Sequence, residues 1–129
     1  MKIRFQHLAK ALSTDDYDLI ALQEVWMTAD YEFLRTSLEA KYPYAHFFHS
    51  GILGSGCCFF SKHEIIEVFI SRYSLNGSPY KIIQHGDWVA GTAACLAHIK
   101  FHNYLIKAYV THVSVEFYLF FYPISIFFC

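Results

Sequence analysis

Residues 17–26, Tyr-Asp-Leu-Ile-Ala-Leu-Gln-Glu-Val-Trp, constrain the fold more than any other stretch of this chain. Leu19, Ile20, Ala21 and Leu22 form a short apolar run, with an Asp before it and Gln-Glu after it. A run without polar interruption predicts a strand in a sheet covered on both faces, since a half-exposed strand would alternate. Glu24 then falls at the strand's C-terminal end, where sheet enzymes tend to gather their chemistry. A carboxylate there suits Mg²⁺, a hard cation held by one or two carboxylates together with water and phosphate. The plainer alternative is a Glu that caps the strand in solvent.

Other blocks bear on that choice. Gln23-Glu24-Val25-Trp26 is followed by Ser50-Gly51-Ile52-Leu53-Gly54-Ser55-Gly56 and Phe60-Ser61-Lys62-His63. Then come Leu75-Asn76-Gly77, His85-Gly86-Asp87-Trp88 and Ala108-Tyr109-Val110-Thr111-His112. In this order and at these gaps the blocks resemble the endonuclease/exonuclease/phosphatase superfamily, and within it the neutral sphingomyelinases. The resemblance runs from about Ile3 to about Phe117 and covers the N-terminal part of that family's catalytic domain. It implies an α/β fold: a partial four-layer α/β sandwich, truncated at both ends, with residues 1–116 as a partial phosphodiesterase domain.

Composition agrees with a piece of a larger core. Apolar residues make up 55% of the 129 and charged residues only 16%. That is too much apolar matter for disorder and too little charge for the surface of a free-standing small domain. The net charge of −1 and the scattered Lys and Arg give no basic stripe, so no nucleic-acid partner is expected. Cys57, Cys58, Cys95 and Cys129 lack zinc spacing and read as small buried thiols in a reducing compartment. Cys57 and Cys58, being neighbours on a strand, should face opposite ways. The N-terminus lacks the apolar core of a signal peptide, and no stretch reaches the ~20 apolar residues of a membrane span. Residues 117–129 form an intensely apolar tail, interrupted by Pro123, that is unlike the family. An intron read through or a misplaced gene end would account for it.

The pattern along the chain predicts a helix over 2–13, with Ile3, Phe5, Leu8, Ala11 and Leu12 at helical spacing. Turn chemistry spans 13–16. A second helix starts near Thr28, with Thr28 as N-cap, Asp30 and Glu32 in its first turn, and Phe33, Leu34 and Leu38 on its buried face. Pro43 ends that region. Strands are expected over 45–48, 56–61, 65–73, 91–101 and 104–112. The glycines of 51–56 allow tight backbone geometry, without the Gly-Lys-Ser of a P-loop. His102-Asn103 makes a two-residue hairpin turn in which Asn103 tolerates positive φ. Helix and strand alternation followed by successive strands fits a layered α/β sandwich.

The resemblance assigns roles to three residues. Glu24 is the Mg²⁺ ligand. His112 corresponds to a catalytic His that lies close to the scissile phosphate and stabilises its oxygens. Asp87 is substrate-side or structural. Relatives often carry a second His where this chain has Ser114. The remaining histidines, including His46, His49, His63, His85, His98 and His102, show no ligand spacing and read as structural or solvated. Trp26, Tyr73, Tyr80 and Trp88 are core residues, or would receive a choline group by cation–π contact.

The activity implied is Mg²⁺-dependent hydrolysis of sphingomyelin, or of a lysophospholipid, at a membrane surface. Sphingomyelin would give ceramide and phosphocholine. The full-length family is intracellular and membrane-associated. Its metal-side Asn would lie before Met1, and its Asp-x-Asn and Ser-Asp-His motifs beyond Phe117, so the chain by itself is expected to be inactive. Two rival readings are an endonuclease-like phosphodiesterase on nucleic acid, and a non-catalytic fragment that binds lipid or a partner through exposed sheet edges.

Overall fold

The computed structural model describes residues 2–50, 54–72 and 93–112. Its elements are α1 (Lys2–Thr14), β1 (Leu19–Leu22), α2 (Thr28–Leu38), β2 (Tyr44–Phe47), β3 (Cys58–Ser61), β4 (Ile65–Arg72), β5 (Ala93–Phe101) and β6 (Tyr104–Thr111). They form two three-stranded sheets, ordered β1-β3-β2 and β4-β5-β6, with all neighbours antiparallel. The two helices cover the outer face of the first sheet, and the second sheet packs on its inner face. Three layers of the expected α/β sandwich are therefore built by the described residues. Asp87 and the tail 117–129 lie outside them.

Two clusters of buried side chains hold these layers, and strand parity sorts residues between them. Ile20 of β1, Phe47 of β2, and Cys58 and Phe60 of β3 face the helices, where they meet Phe5, Leu12, Leu34 and Leu38. Phe48, Cys57 and Phe59 face the other way and meet Ala93, Cys95, Ala97, Ile99 and Val110 of the second sheet. Cys57 and Cys58 thus point to opposite faces, as their adjacency requires. Burial pushes the Cys58 thiol well above the ordinary cysteine range. The Cys57 thiol is raised too, first by its hydrogen bond with Cys95 and then by burial. The unbroken apolar run of β1 reports cover on both faces, although β3 is the strand buried at all four positions.

The helices form where their apolar residues recur, with the phase corrected in places. On α1 the buried stripe is Phe5, Ala9 and Leu12, with Leu8 partly buried, which is i, i+3, i+4, i+7 spacing. Ile3 and Ala11 point to solvent. On α2 the stripe is Tyr31, Leu34 and Leu38. Phe33 stays 41% exposed, because Tyr31 takes the core position and packs its ring against Phe47 and Phe60, at 5.1 and 5.8 Å. Burial raises the Tyr31 hydroxyl to about 12. Thr28 is the first helical residue and not the cap. Met27 stands at the N-cap, with no side-chain cap bond, and Asp30 is the acidic residue of the first turn. At the far end of α1, Lys41 Nζ donates to the Ser13 and Asp15 carbonyls, which suits a cation at a helix C-terminus.

The expected strands 45–48, 56–61 and 104–112 shift at their boundaries by one or two residues, while the expected ends at 73 and 91 lie outside the described residues. The first strand of the second sheet bends at a register shift between Ile65 and Glu67. The β5–β6 hairpin closes on Phe101 opposite Tyr104, so its turn is His102-Asn103 as the pattern required. The positive φ falls on His102 (54°), not on Asn103. Among the described residues, no helix is long and apolar enough to cross a membrane.

Candidate active site

The ends of two strands, β1 of the first sheet and β6 of the second, bring their following residues together. β1 stops at Leu22, and Glu24 follows in the left-handed region at φ 60°, a conformation that costs a non-glycine residue roughly 1–2 kcal/mol. The next residue holds it there. Val25 is buried, and its N–H donates to the Gly56 carbonyl at 3.0 Å. This anchors the chain just past Glu24 and leaves the carboxylate in solvent, with the side chain 58% exposed. Strain of this kind at an exposed acidic side chain is a mark of a functional position.

His112 arrives from the second sheet, immediately after β6. Its Nε2 lies 3.7 Å from Glu24 Oε1, while its own side chain is only 10% exposed. Its Nδ1 is buried and meets no hydrogen-bond partner among the described residues. A buried imidazole nitrogen left in that state calls for an explanation, since buried polar atoms are normally paired. The Trp26 ring stands edge-on to the imidazole, with centroids 5.1 Å apart. Behind that ring is Gly56, at φ +75°, where a Cβ would come within 3.1 Å of the indole. Glycine is required here on both counts, conformation and space.

One hydrogen bond at the site crosses between the two sheets, and others brace it on either side. Gln23 Nε2 donates to the Thr111 carbonyl at 2.6 Å, and Thr111 Oγ1 donates to the Ala93 carbonyl at 3.2 Å. Ser55 Oγ donates to the Phe48 carbonyl at 2.7 Å and accepts from the Cys57 N–H at 3.1 Å, which fixes the loop beneath Trp26.

The structure therefore brings together two of the three residues singled out by sequence, Glu24 and His112. The sequence signals missed the supporting roles of Gln23 and Gly56. Gly-Ser-Gly marked an unusual backbone at 54–56, but nothing local says which ring it must admit. Trp26, read as core or as a choline receiver, is half-buried and backs His112. The other described histidines behave as structural groups. His63 Nε2 meets Asp18 Oδ1 at 3.2 Å, His98 Nδ1 meets Glu67 Oε2 at 3.2 Å, and His46 lies edge-on to Phe48 at 4.7 Å. Among the described residues, no group of three His, Cys, Asp or Glu side chains converges as a metal site. Glu24 offers oxygen to a hard cation, but one carboxylate beside an imidazole does not complete a Mg²⁺ shell.

Comparison with known proteins gives this geometry a context. The sequence model of the Endonuclease/Exonuclease/phosphatase family matches residues 1–97. The chain is 44% identical to sphingomyelin phosphodiesterase 2 of Mus musculus and 45% identical to that of Homo sapiens. It is 33% identical to an inositol phosphosphingolipids phospholipase C of Schizosaccharomyces pombe. Each match takes in 88% of this chain but only 27% of the relative, so the chain spans about a quarter of the length of these curated relatives. Among solved structures, sphingomyelinase C from Streptomyces griseocarneus superposes with a TM-score of 0.62 at 15% identity, over 84% of this chain and 41% of that one. A Staphylococcus aureus beta toxin with bound magnesium ions gives the same TM-score, identity and coverage. At such identity these two structures bear on the fold alone.

Proposed function

We propose, from the premise that this chain belongs to the endonuclease/exonuclease/phosphatase family, that the full-length protein is a Mg²⁺-dependent phosphodiesterase of the neutral sphingomyelinase type. Its substrate is sphingomyelin, cleaved at a membrane surface to ceramide and phosphocholine; a lysophospholipid is the alternative. The observation that carries this reading is the meeting of Glu24 and His112. They follow strands of different sheets and stand 3.7 Å apart. The named activities of the similar sphingomyelin phosphodiesterases support the substrate, and the exposed carboxylate of Glu24 supports the metal.

Glu24 would supply one oxygen ligand to the ion, a task its solvent-facing carboxylate suits. When bound, Mg²⁺ would neutralise charge on the phosphodiester. His112 donates a hydrogen bond from Nε2 toward a phosphate oxygen, and the Trp26 ring holds the imidazole in place. Asp87, which lies outside the described residues, is assigned a substrate-side or structural role by the family resemblance alone. The 129 residues alone, with one carboxylate for the metal among the described positions, hydrolyse sphingomyelin poorly.

The test is phosphocholine release from sphingomyelin vesicles by the full-length protein, with and without Mg²⁺. Glu24→Gln and His112→Ala should each lower kcat/KM by about 10²-fold or more. Mg²⁺-independent release, or full activity in Glu24→Gln, would overturn the reading.

A further inference from the structure

We propose that Gln23 is a positioning residue for this site, its side-chain amide setting the separation of His112 from Glu24. The chemistry rests on the function proposed above, whereas the geometry stands on its own.

Gln23 immediately precedes Glu24, and Thr111 immediately precedes His112. The Gln23 Nε2–Thr111 O bond, at 2.6 Å, therefore joins the two sheets one residue before each functional side chain. Thr111 is also tied to the start of β5 through Ala93, so the restraint passes from β1 into the body of the second sheet. Behind the site, the sheets also meet through the weak thiol hydrogen bond of Cys57 with Cys95 and, around it, through the apolar contact of Phe48, Phe59, Ala97 and Val110. Apolar contact of that sort is non-directional and tolerates sliding. A hydrogen bond fixes distance and angle.

The separation it sets matters. At 3.7 Å, Glu24 Oε1 and His112 Nε2 lie just beyond a direct hydrogen bond. Were the strand ends free to close, carboxylate and imidazole would bond to each other and occupy the groups needed for metal and phosphate. Were they free to part, the two groups would no longer reach one ligand. An amide is suited to the task because it donates to a carbonyl without adding charge beside Glu24. Glutamate is nearly the same shape but presents only acceptors to the Thr111 oxygen.

The test compares Gln23→Ala, Gln23→Glu and Gln23→Lys in the full-length protein. The first readout is steady-state hydrolysis of sphingomyelin. Ala and Glu should lower kcat about tenfold or more with KM changed less than about twofold, as expected when reacting groups are misplaced. Lys restores a donor but adds a charge beside Glu24, so it should recover only part of kcat. The second readout needs no turnover. The ring protons of His112 and Trp26, whose ring centroids stand 5.1 Å apart at right angles, are followed by NMR at fixed pH. They should move in Ala and Glu and return toward wild type in Lys. If the wild type fails to hydrolyse sphingomyelin, the function reading falls while the NMR comparison still decides the role of Gln23. Wild-type kcat and unmoved His112 and Trp26 signals in Gln23→Glu would overturn the proposal.

Discussion

Replacing Gly56 with alanine tests the structural logic of the site at a single methyl group. Gly56 has φ +75°, and an alanine forced into the left-handed region costs roughly 1–2 kcal/mol. The added Cβ would also stand 3.1 Å from Trp26 Cη2 and Cζ3 and 3.2 Å from Cε3. That is a broadside contact with a rigid ring, so the indole must move by a few tenths of an ångström, an overpacking cost of roughly 1–3 kcal/mol. Together these terms predict a loss of about 2–5 kcal/mol, to be read from urea unfolding midpoints at unchanged slope. Gly54→Ala is the control. It carries similar backbone strain at φ +94°, but its Cβ meets Phe47 Cζ at 3.3 Å and no part of the Trp26 ring. Both variants should lose stability, and only Gly56→Ala should displace the Trp26 and His112 ring signals, because only there does the clash pass through the indole to the imidazole. A Gly56→Ala protein within about 0.5 kcal/mol of wild type, or one with unmoved Trp26 and His112 signals, would refute the packing argument.

Three further outcomes follow from the same geometry. Glu24→Gly should be more stable than Glu24→Ala by about 0.5–1 kcal/mol in denaturant, since glycine relieves the φ 60° strain and gives part of that back as unfolded-state entropy; equal stabilities would mean the strain is not there. Leu34→Ala, at a fully buried position between α2 and the first sheet, should cost about 2–5 kcal/mol, and a change under 1 kcal/mol would contradict that packing. Burial, and then the nearby His49, lowers the pKa of His46, so between that value and about 6.5 the unfolded chain binds more protons than the folded one. Stability should therefore rise with pH through this window and level off above it, and His46→Gln should flatten the rise in unfolding free energy measured from pH 5 to 7.5.

What the sequence made legible was periodicity, and what it concealed was mostly partnership. The spacing of Phe5, Leu8 and Leu12 located α1, and Leu34 and Leu38 located α2, because a stripe along one face is a local signal. Phe33 was the natural choice for the core beside Leu34. The decision went to Tyr31 because Phe47 and Phe60, on two other strands, present rings to it. The N-terminus of α2 failed in a different way. Thr28 looks like a cap, but the extended Met27 takes that place, its carbonyl accepting the first helical hydrogen bond from the Tyr31 N–H, so the helix starts one residue earlier than a Thr28 cap would allow. The hairpin turn was placed correctly, while its positive φ went to His102, whose ring packs against Phe101 at 4.6 Å.

The site divides along the same line. Glu24 was visible because a lone carboxylate after an apolar run stands out locally, and His112 because the block around it resembles a known family. Neither signal contains the 3.7 Å between them. That distance is a product of three long-range facts: Val25 bonded to Gly56, Trp26 seated where Gly56 has no side chain, and Gln23 bonded to Thr111. Each draws together residues distant in sequence, and each involves a residue whose local signature is bland. A strained carboxylate persists only where its surroundings over-determine it. Here the surroundings come from the glycine loop before β3 on one side and from the end of β6 on the other. The pairing of Glu24 with His112 is therefore a property of how the two sheets are joined, which is why perturbing Gln23 or Gly56, neither of which touches the reacting groups, should disturb the site.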